Sequence, residues 1–212
     1  MFFESCVFKC SFCQNYDISQ NPGWTLAVNA RKLAAIANEL AREGVKNINY
    51  VTPLPNTYVI IESLKTQIEN ITQLWNTNMY CSKDTMKLIL ELMDFWLPDF
   101  KYGNDDCAKQ YSNVPHFFKA VARNHKIAHD EGSGEMIIRH LVMPSHIDCC
   151  TKPILDWIAE NCPRAVVNIM AQYRPCYQAH QYPEINRRPT NKEITESREY
   201  ATKLGILWEP VS

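Results

Sequence analysis

The stretch TLAVNARKLAAIANELAREGVKNINYV, residues 25–51, combines a helix pattern with a strand pattern that follows it directly. Apolar residues recur at helical spacing from Leu33 onward, and Gly44 stands where helices commonly end. The segment KNINYV, 46–51, then alternates as a half-buried strand does. The stretch therefore predicts a helix over 25–44 that leads into a strand.

The same alternation of helix and strand continues through the chain. We predict further helices over 56–71, 82–93, 115–128, 151–160 and 190–205. We predict further strands over 1–3, 74–78, 95–100, 135–143 and 165–170, with MFF at 1–3 as the first strand. Strands separated by helices are typical of parallel βαβ units with right-handed crossovers. The sequence therefore predicts an α/β fold, a partial (β/α)6 TIM-type barrel of parallel strands, as one domain over 1–212.

The charge and hydropathy of the chain exclude several classes of protein. Lys plus Arg total 22 against 23 for Asp plus Glu, so there is no positive field over the whole surface to attract nucleic acid or anionic lipid. The apolar runs fall far short of the roughly 20 residues of a membrane helix, and MFFESC lacks the features of a secretory signal. We therefore expect a cytoplasmic protein without nucleic-acid or membrane partners, whose cysteines serve metal or redox chemistry rather than disulfides.

Three of the nine cysteines stand close together in ESCVFKCSFCQNYD, residues 4–17. Thiolates bind soft metals, and the spacing of Cys6, Cys10 and Cys13 lets one loop wrap a compact centre. A structural zinc site needs a fourth ligand, commonly from a second Cys-x-x-Cys, and the chain has no second such pair. Three ligands without an evident fourth suit a cubane cluster in which one iron stays open. A structural zinc site is the alternative.

The pattern Cys-x3-Cys-x-aromatic-Cys, completed by Phe12, resembles the signature of the radical SAM superfamily. The motif follows the first predicted strand and precedes the first predicted helix, as in that family. The resemblance implies that Cys6, Cys10 and Cys13 ligate a [4Fe–4S] cluster whose open iron binds S-adenosylmethionine. It also implies reductive cleavage of that cofactor to a 5′-deoxyadenosyl radical, which abstracts hydrogen from a substrate.

Several segments resemble one branch of this superfamily more closely. CSFCQNYD, NTNMY, LPDFKYGND, IRHLVMP, QYRP and YPEINRRPT are similar to glycyl-radical-enzyme activases, most nearly the pyruvate formate-lyase activating enzyme-like branch. That likeness implies that the substrate is a protein, namely a glycyl-radical enzyme. It also implies an electron donor such as flavodoxin or ferredoxin. Two alternatives stay open at this point. One is a degenerate iron–sulfur protein without catalysis, and the other is a zinc-stabilised domain that is not an enzyme.

The resemblance also implies a set of cofactor-binding residues at the ends of the strands. These residues are Phe12, Asn76, Asn78, Asp99, Lys101, Arg139 and Gln172. Asp99 and Lys101 match the Asp-x-Lys of activases and face the same side of a strand, since they are two residues apart. A surface ion pair is the alternative for these two, and a turn is the alternative for the asparagines. Gln172 departs from the family, where a His is common.

Two further departures concern the cofactor loop and the start of the chain. The family usually has Gly-Gly-Glu after the second strand, where this chain reads YVTPLPN, 50–56. Thr52 and the carbonyls beside Pro53 and Pro55 are the candidates to replace it. Ser5 stands where Gly is common, and the branch carries an N-terminal extension with further cysteines. We therefore expect a truncated first strand and a more exposed cluster.

Overall fold

Parallel strands flanked by helices form the framework of the computed structural model, which describes residues 1–21, 23, 26–132 and 135–209. The strands are Asn47–Val51 (β1), Thr72–Thr77 (β2), Phe95–Pro98 (β3), Glu135–Leu141 (β4), Val166–Met170 (β5) and Trp208–Glu209 (β6). The α-helices are Tyr16–Ser19 (α1), Ala30–Arg42 (α2), Thr57–Leu64 (α3), Lys83–Leu90 (α4), Asp105–Ser112 (α5), Phe117–Glu131 (α6), Lys152–Asn161 (α7) and Asn191–Lys203 (α8). Leu54–Asn56 and Ala179–Gln181 are 3-10 turns, and Ile147–Thr151 is a π-helical turn.

The six strands form one sheet in the order β1-β2-β3-β4-β5-β6, and every pairing is parallel. Consecutive parallel neighbours require a crossover each time, and helices supply most of these crossovers. The sheet is open rather than closed. The predicted α/β class and the partial barrel of parallel strands are therefore confirmed.

Two strand predictions differ from the structure. MFF is not a strand, because only Phe2 forms a bridge, to Val51 at the edge of β1. The sixth strand is instead the two-residue β6, which the sequence analysis missed. A two-residue strand carries too little alternation to be found by pattern; β6 pairs with β5 and contacts α8.

The helices that open at Ser82 and Thr190 begin where predicted, whereas α6 and α7 end slightly later than predicted and the other predicted helices end earlier. Asn29, Ser82 and Thr190 each accept a hydrogen bond from the backbone N–H three residues on, which satisfies a free donor of the first turn. Thr190 and Glu193 form the complete capping box. The helix predicted over 25–44 begins at Ala30, and its first residue, Thr25, lies outside the described residues. Helix α5 was not among the predicted helices.

The core lies between the sheet and its helices and is built around large side chains. Trp75 and Trp96 are fully buried on neighbouring strands. Aromatic rings of Phe8, Phe100 and Phe117 pack together on the helical side. This packing leaves the carboxyl ends of the strands free to carry polar side chains, as in other α/β folds.

Of the helices described, none is long and apolar enough to cross a membrane. The cytoplasmic location stays a prediction.

Candidate functional site

A cavity of about 440 Å³ opens at the carboxyl edge of the sheet, beside the cysteine loop. The three motif cysteines line it together with all seven predicted cofactor-binding residues. The lining residues from that set are Cys6, Cys10, Cys13, Phe12, Asn76, Asn78, Asp99, Lys101, Arg139 and Gln172. Residues far apart in sequence thus meet at one place, because parallel strands end at the same edge.

Hydrogen-bond donors approach the sulfur atoms of the cysteine loop. The Ser112 hydroxyl donates to Cys10 Sγ at 2.9 Å, and Asn78 Nδ2 donates to Cys6 Sγ at 3.6 Å. The Cys13 Sγ and Ser19 Oγ atoms lie 3.2 Å apart. Donors of this kind stabilise sulfur ligands and tune the metal that they hold.

Burial makes the isolated thiolates unfavourable. It raises the pKa of Cys10 to about 12, against the weaker opposing effect of Lys101. Burial also raises the pKa of Cys6, although the Phe8 backbone and Lys101 oppose it. Since thiolates are the metal-binding form, a bound cationic centre is what would hold these sulfurs deprotonated. The donor set therefore fits a thiolate-ligated metal centre.

The spacing of the three sulfurs distinguishes between a cluster and a single ion. The Sγ atoms of Cys6, Cys10 and Cys13 do not all lie within 4.8 Å of one another. Thiolates on one tetrahedral zinc at about 2.3 Å stand only about 3.8 Å apart. In an iron–sulfur cluster each thiolate binds its own iron, so the sulfurs need not converge. The arrangement of the three sulfurs is therefore compatible with a cluster at this loop.

Arg139 connects the ends of three neighbouring strands. Its NH2 atom donates to Asp99 Oδ1 at 2.7 Å and to Asn76 Oδ1 at 2.5 Å. The carboxylate of Asp99 also pairs with Lys101. A parallel bridge between residues 99 and 139 sets this contact. Asp99 and Lys101 therefore belong to a cavity network and are not an isolated surface pair.

The network leaves the cavity with an excess of positive charge. Burial would raise the pKa of Asp99, but Arg139 and Lys101 outweigh it and the pKa is lowered, so Asp99 is ionised. Among the described lining residues, Asp99 is the single acidic side chain, against two cations. The Nε atom of Arg139 is buried and has no hydrogen-bond partner in the described structure. A cavity with these properties suits a ligand that carries a carboxylate and hydroxyl groups.

The other predicted residues take different positions around the cavity. Phe12 is 5% exposed and packs edge-on against Tyr173, with ring centroids 5.5 Å apart. Gln172 is exposed at the mouth, and its amide donates to the sulfur of Met170 at 3.4 Å. Phe12 thus anchors the cysteine loop to the core, while Gln172 is exposed and bonded to Met170.

Two residues other than glycine, Ser5 and Thr52, have a backbone conformation that favours glycine. Ser5 has φ 72° and Thr52 has φ 59°, both in the left-handed region. This conformation is unfavourable for a β-branched residue such as Thr52, and sites of this kind cluster around ligands. Thr52 also lines the cavity, and its N–H donates to Asn76 O at 3.0 Å. The loop therefore keeps a glycine-like backbone where Gly-Gly-Glu would stand.

Sequence reasoning missed the serines that contact the cysteine sulfurs. Ser112 lies at the end of α5 and Ser19 at the end of α1, and both are buried. No local pattern marks either residue, because only the packing of these helices against the cysteine loop brings them to the sulfurs. Their short helices are also the elements with the weakest sequence signals.

Comparison with known proteins gives a family match. Residues 1–158 match the Radical SAM superfamily. An uncharacterized protein of Methanocaldococcus jannaschii is 44% identical over 214 residues, which cover 97% of this chain and 62% of that protein. The chain thus spans less than two thirds of this curated relative.

Solved structures share the fold. A radical SAM methyltransferase from Sphaerobacter thermophilus superposes with a TM-score of 0.70 at 16% identity, over 98% of this chain and 64% of that chain. A domain of pyruvate-formate lyase-activating enzyme from Bacteroides vulgatus superposes with a TM-score of 0.59 at 16% identity, over 78% of this chain and 97% of that domain. At such identities the likeness concerns the fold alone.

Proposed function

This chain belongs to the radical SAM superfamily, and from that premise we propose that it is an enzyme that holds one [4Fe–4S] cluster through Cys6, Cys10 and Cys13. S-adenosylmethionine would occupy the adjoining cavity. When bound, the cluster and the cofactor supply a 5′-deoxyadenosyl radical for hydrogen abstraction. The residues of the chain bind, orient and shield these groups.

The observation that carries the proposal is the convergence of the cysteine loop and the polar strand ends on one cavity. The cofactor presents a carboxylate, an ammonium and a ribose. Arg139 and Lys101 would attract the carboxylate, and Asn76 and Asn78 offer amides to hydroxyl groups. Asp99 holds the two cations in position through its ion pairs. Such fixed placement is the main contribution that a protein makes to cofactor chemistry.

The first experiment tests cluster assembly and cofactor cleavage separately. Anaerobic reconstitution should give about four irons and four sulfides per chain. Incubation with S-adenosylmethionine and dithionite should then release 5′-deoxyadenosine. Cys10→Ala should lose both the cluster and the product, whereas Cys176→Ala should keep both, since Cys176 does not line the cavity. If the reconstituted parent releases no more 5′-deoxyadenosine than Cys10→Ala does, the proposed enzyme activity is refuted.

The missing Gly-Gly-Glu favours one rival function, an iron–sulfur protein without catalysis. Thr52 supplies the loop conformation but no carboxylate for the cofactor ammonium. In this rival the cluster forms and S-adenosylmethionine neither binds nor changes the cluster spectrum. A shift in the electron paramagnetic resonance spectrum of the reduced cluster on addition of the cofactor would exclude it.

We further propose a protein substrate, a glycyl-radical enzyme, with a flavodoxin or ferredoxin as electron donor. The support is the likeness of the segments around the cysteine loop and strand ends to activases, and the open sheet that leaves the cavity accessible from one side. The test mixes the reconstituted chain, S-adenosylmethionine and reductant with a pyruvate formate-lyase-type enzyme. A glycyl radical signal is expected. Its absence while 5′-deoxyadenosine accumulates would refute the activase role and leave the radical chemistry intact.

A further inference from the structure

A second group of metal-ligating side chains lies outside the cavity. The ligand atoms of Cys107, His146 and Cys149 all lie within 4.8 Å of one another. None of the three lines the cavity of the cysteine loop. Unlike the sulfurs of that loop, these atoms are close enough to share one tetrahedral ion, whose thiolate ligands stand about 3.8 Å apart.

Two backbone segments meet closely at this group. Gly103 precedes α5, and a Cβ added to it would lie 2.7 Å from Cys149 O and 2.8 Å from the Cys150 Cα atom. Asn104 caps α5 by accepting from the Cys107 N–H at 2.8 Å, and its Nδ2 donates to Cys149 O at 2.8 Å. One side chain thus holds both ligand-bearing segments. Cys149 lies in a π-helical turn, an arrangement frequent at functional sites.

The imidazole of His146 hydrogen-bonds with Cys107, another member of this group. The imidazole is 5% exposed, and its Nδ1 lies 2.7 Å from the Pro144 carbonyl, which requires the proton to be on Nδ1. Its Nε2 lies 3.1 Å from the Tyr111 hydroxyl. That hydroxyl donates its one proton to Glu184 Oε1 at 2.5 Å, so it has none for Nε2. The Pro144 carbonyl fixes Nδ1 as in metal-ligating histidines, so Nε2 is the ring atom that would bind an ion once it has lost its proton.

We propose that Cys107, His146 and Cys149 bind a zinc ion, with a solvent molecule in the fourth position. Two thiolates and a neutral imidazole are ligands that zinc prefers, and their two negative charges balance the charge of the ion. Binding releases the two thiol protons to solvent. Cys149 is exposed, so the ion can enter and the fourth position can remain hydrated. This site does not depend on the radical chemistry proposed above.

The zinc would join α5 to the turn that follows β4. The last residue of α5, Ser112, donates to Cys10 of the cysteine loop. The ion would therefore stabilise the first turn of α5, and the last residue of the same helix contacts the cluster-binding loop. Because a preformed site is absent from the unfolded chain, zinc binding adds to the free energy of unfolding.

The experiment uses the full chain with Cys6, Cys10 and Cys13 replaced by serine, so that zinc cannot bind at the cysteine loop. The protein is stripped of metal, kept reduced and anaerobic, and titrated with Zn²⁺ against a chromophoric chelator. One zinc per chain is expected. Two variants should each weaken zinc binding by about 100-fold or more: Cys149→Ser, at an exposed position, and His146→Gln. Loss of a residue that only hydrogen-bonds to a metal ligand already lowers affinity by about 10–100-fold. Cys176→Ser should leave the affinity unchanged.

A second variant tests the site without removing a ligand. Gly103→Ala places a methyl group against the Cys149 carbonyl and should weaken zinc binding while circular dichroism stays native. Titration with Co²⁺ should give thiolate charge-transfer absorption that falls in Cys149→Ser. The proposal is overturned if the parent takes up no zinc, if Cys149→Ser binds zinc as tightly as the parent, or if thiol counting in the anaerobic protein shows Cys107 oxidised.

Discussion

Replacing Asp99 with asparagine removes the one carboxylate among the described residues that line the cavity. Asp99 accepts from Arg139 at 2.7 Å and also pairs with Lys101. The side chains of Asp99, Lys101 and Arg139 are 16%, 18% and 23% exposed, so none is fully solvated. The substitution keeps the shape of the side chain and leaves two cations close together without a counter-charge.

The expected cost follows from this partial burial. Removing one partner of a buried ion pair costs about 3–5 kcal/mol, because the remaining charge stays desolvated. Because the two cations are partly exposed, the loss of stability in Asp99→Asn should lie near the lower limit, about 3 kcal/mol. With a urea m-value of about 2–3 kcal/mol/M, the unfolding midpoint should fall by about 1–1.5 M.

The pH dependence of the stability difference tests whether the lost carboxylate charge of Asp99 is its cause. Burial raises the pKa of Asp99, but Arg139 and Lys101 outweigh burial and hold the pKa below the usual 3.8. A lowered carboxyl pKa contributes stability that is fully present above the unfolded value and is lost as pH falls through the folded value. The difference between parent and variant should therefore be constant from about pH 5 to 8.

The matched control is Glu69→Gln, which also turns a carboxylate into an amide. Glu69 pairs with Arg42 at 2.9 Å, but their side chains are 36% and 63% exposed. Exposed pairs contribute about 0–1 kcal/mol, so this variant should be nearly as stable as the parent. Urea unfolding followed by tryptophan fluorescence measures both variants. If Asp99→Asn loses no more stability than Glu69→Gln, the buried-network argument is refuted.

Three further predictions address the loop, the core and the cluster. Thr52→Gly should be more stable than Thr52→Ala by about 1 kcal/mol, since only glycine adopts φ 59° without strain; equal urea midpoints would contradict this. Burial lowers the pKa of His125 and of His140 to about 4, so the unfolded chain, whose histidines titrate near 6.5, binds more protons between these values. Unfolding free energy should therefore fall by about 1.4 kcal/mol per pH unit per histidine as pH drops from about 6 to 5, and His140→Gln should remove about half of that slope. Ser112→Ala removes the donor to Cys10 and should lower the reduction potential of the reconstituted cluster in a redox titration, whereas an unchanged potential would mean that this bond does not tune it.

The fold was largely predictable because helix and strand patterns are local. The alternation of apolar and polar residues identified β1 to β5, and the helix starts at Ser82 and Thr190 were identified in α4 and α8. The elements that escaped are short: α5 has eight residues and β6 has two. MFF has the apolar character of a strand, but only Phe2 pairs with the sheet. Short elements form where the rest of the fold provides a partner, so their own sequence carries little signal.

The candidate site was predictable only in part. The cysteine spacing and the strand-end residues pointed to one cofactor cavity, and the structure places all of these residues around it. The serines that contact the sulfurs and the group of Cys107, His146 and Cys149 had no signal in the sequence. Their members come from segments that approach each other only after the sheet has formed.

The sequence by itself determined the alternation of strands and helices and the crowding of three thiols within the span 6–13. Both depend on short-range spacing along the chain. Only the tertiary structure decided that Arg139 meets Asp99 and Asn76, and that Cys149 meets Cys107. Contacts between strands and between helices depend on register and packing across the whole sheet, which no single segment encodes.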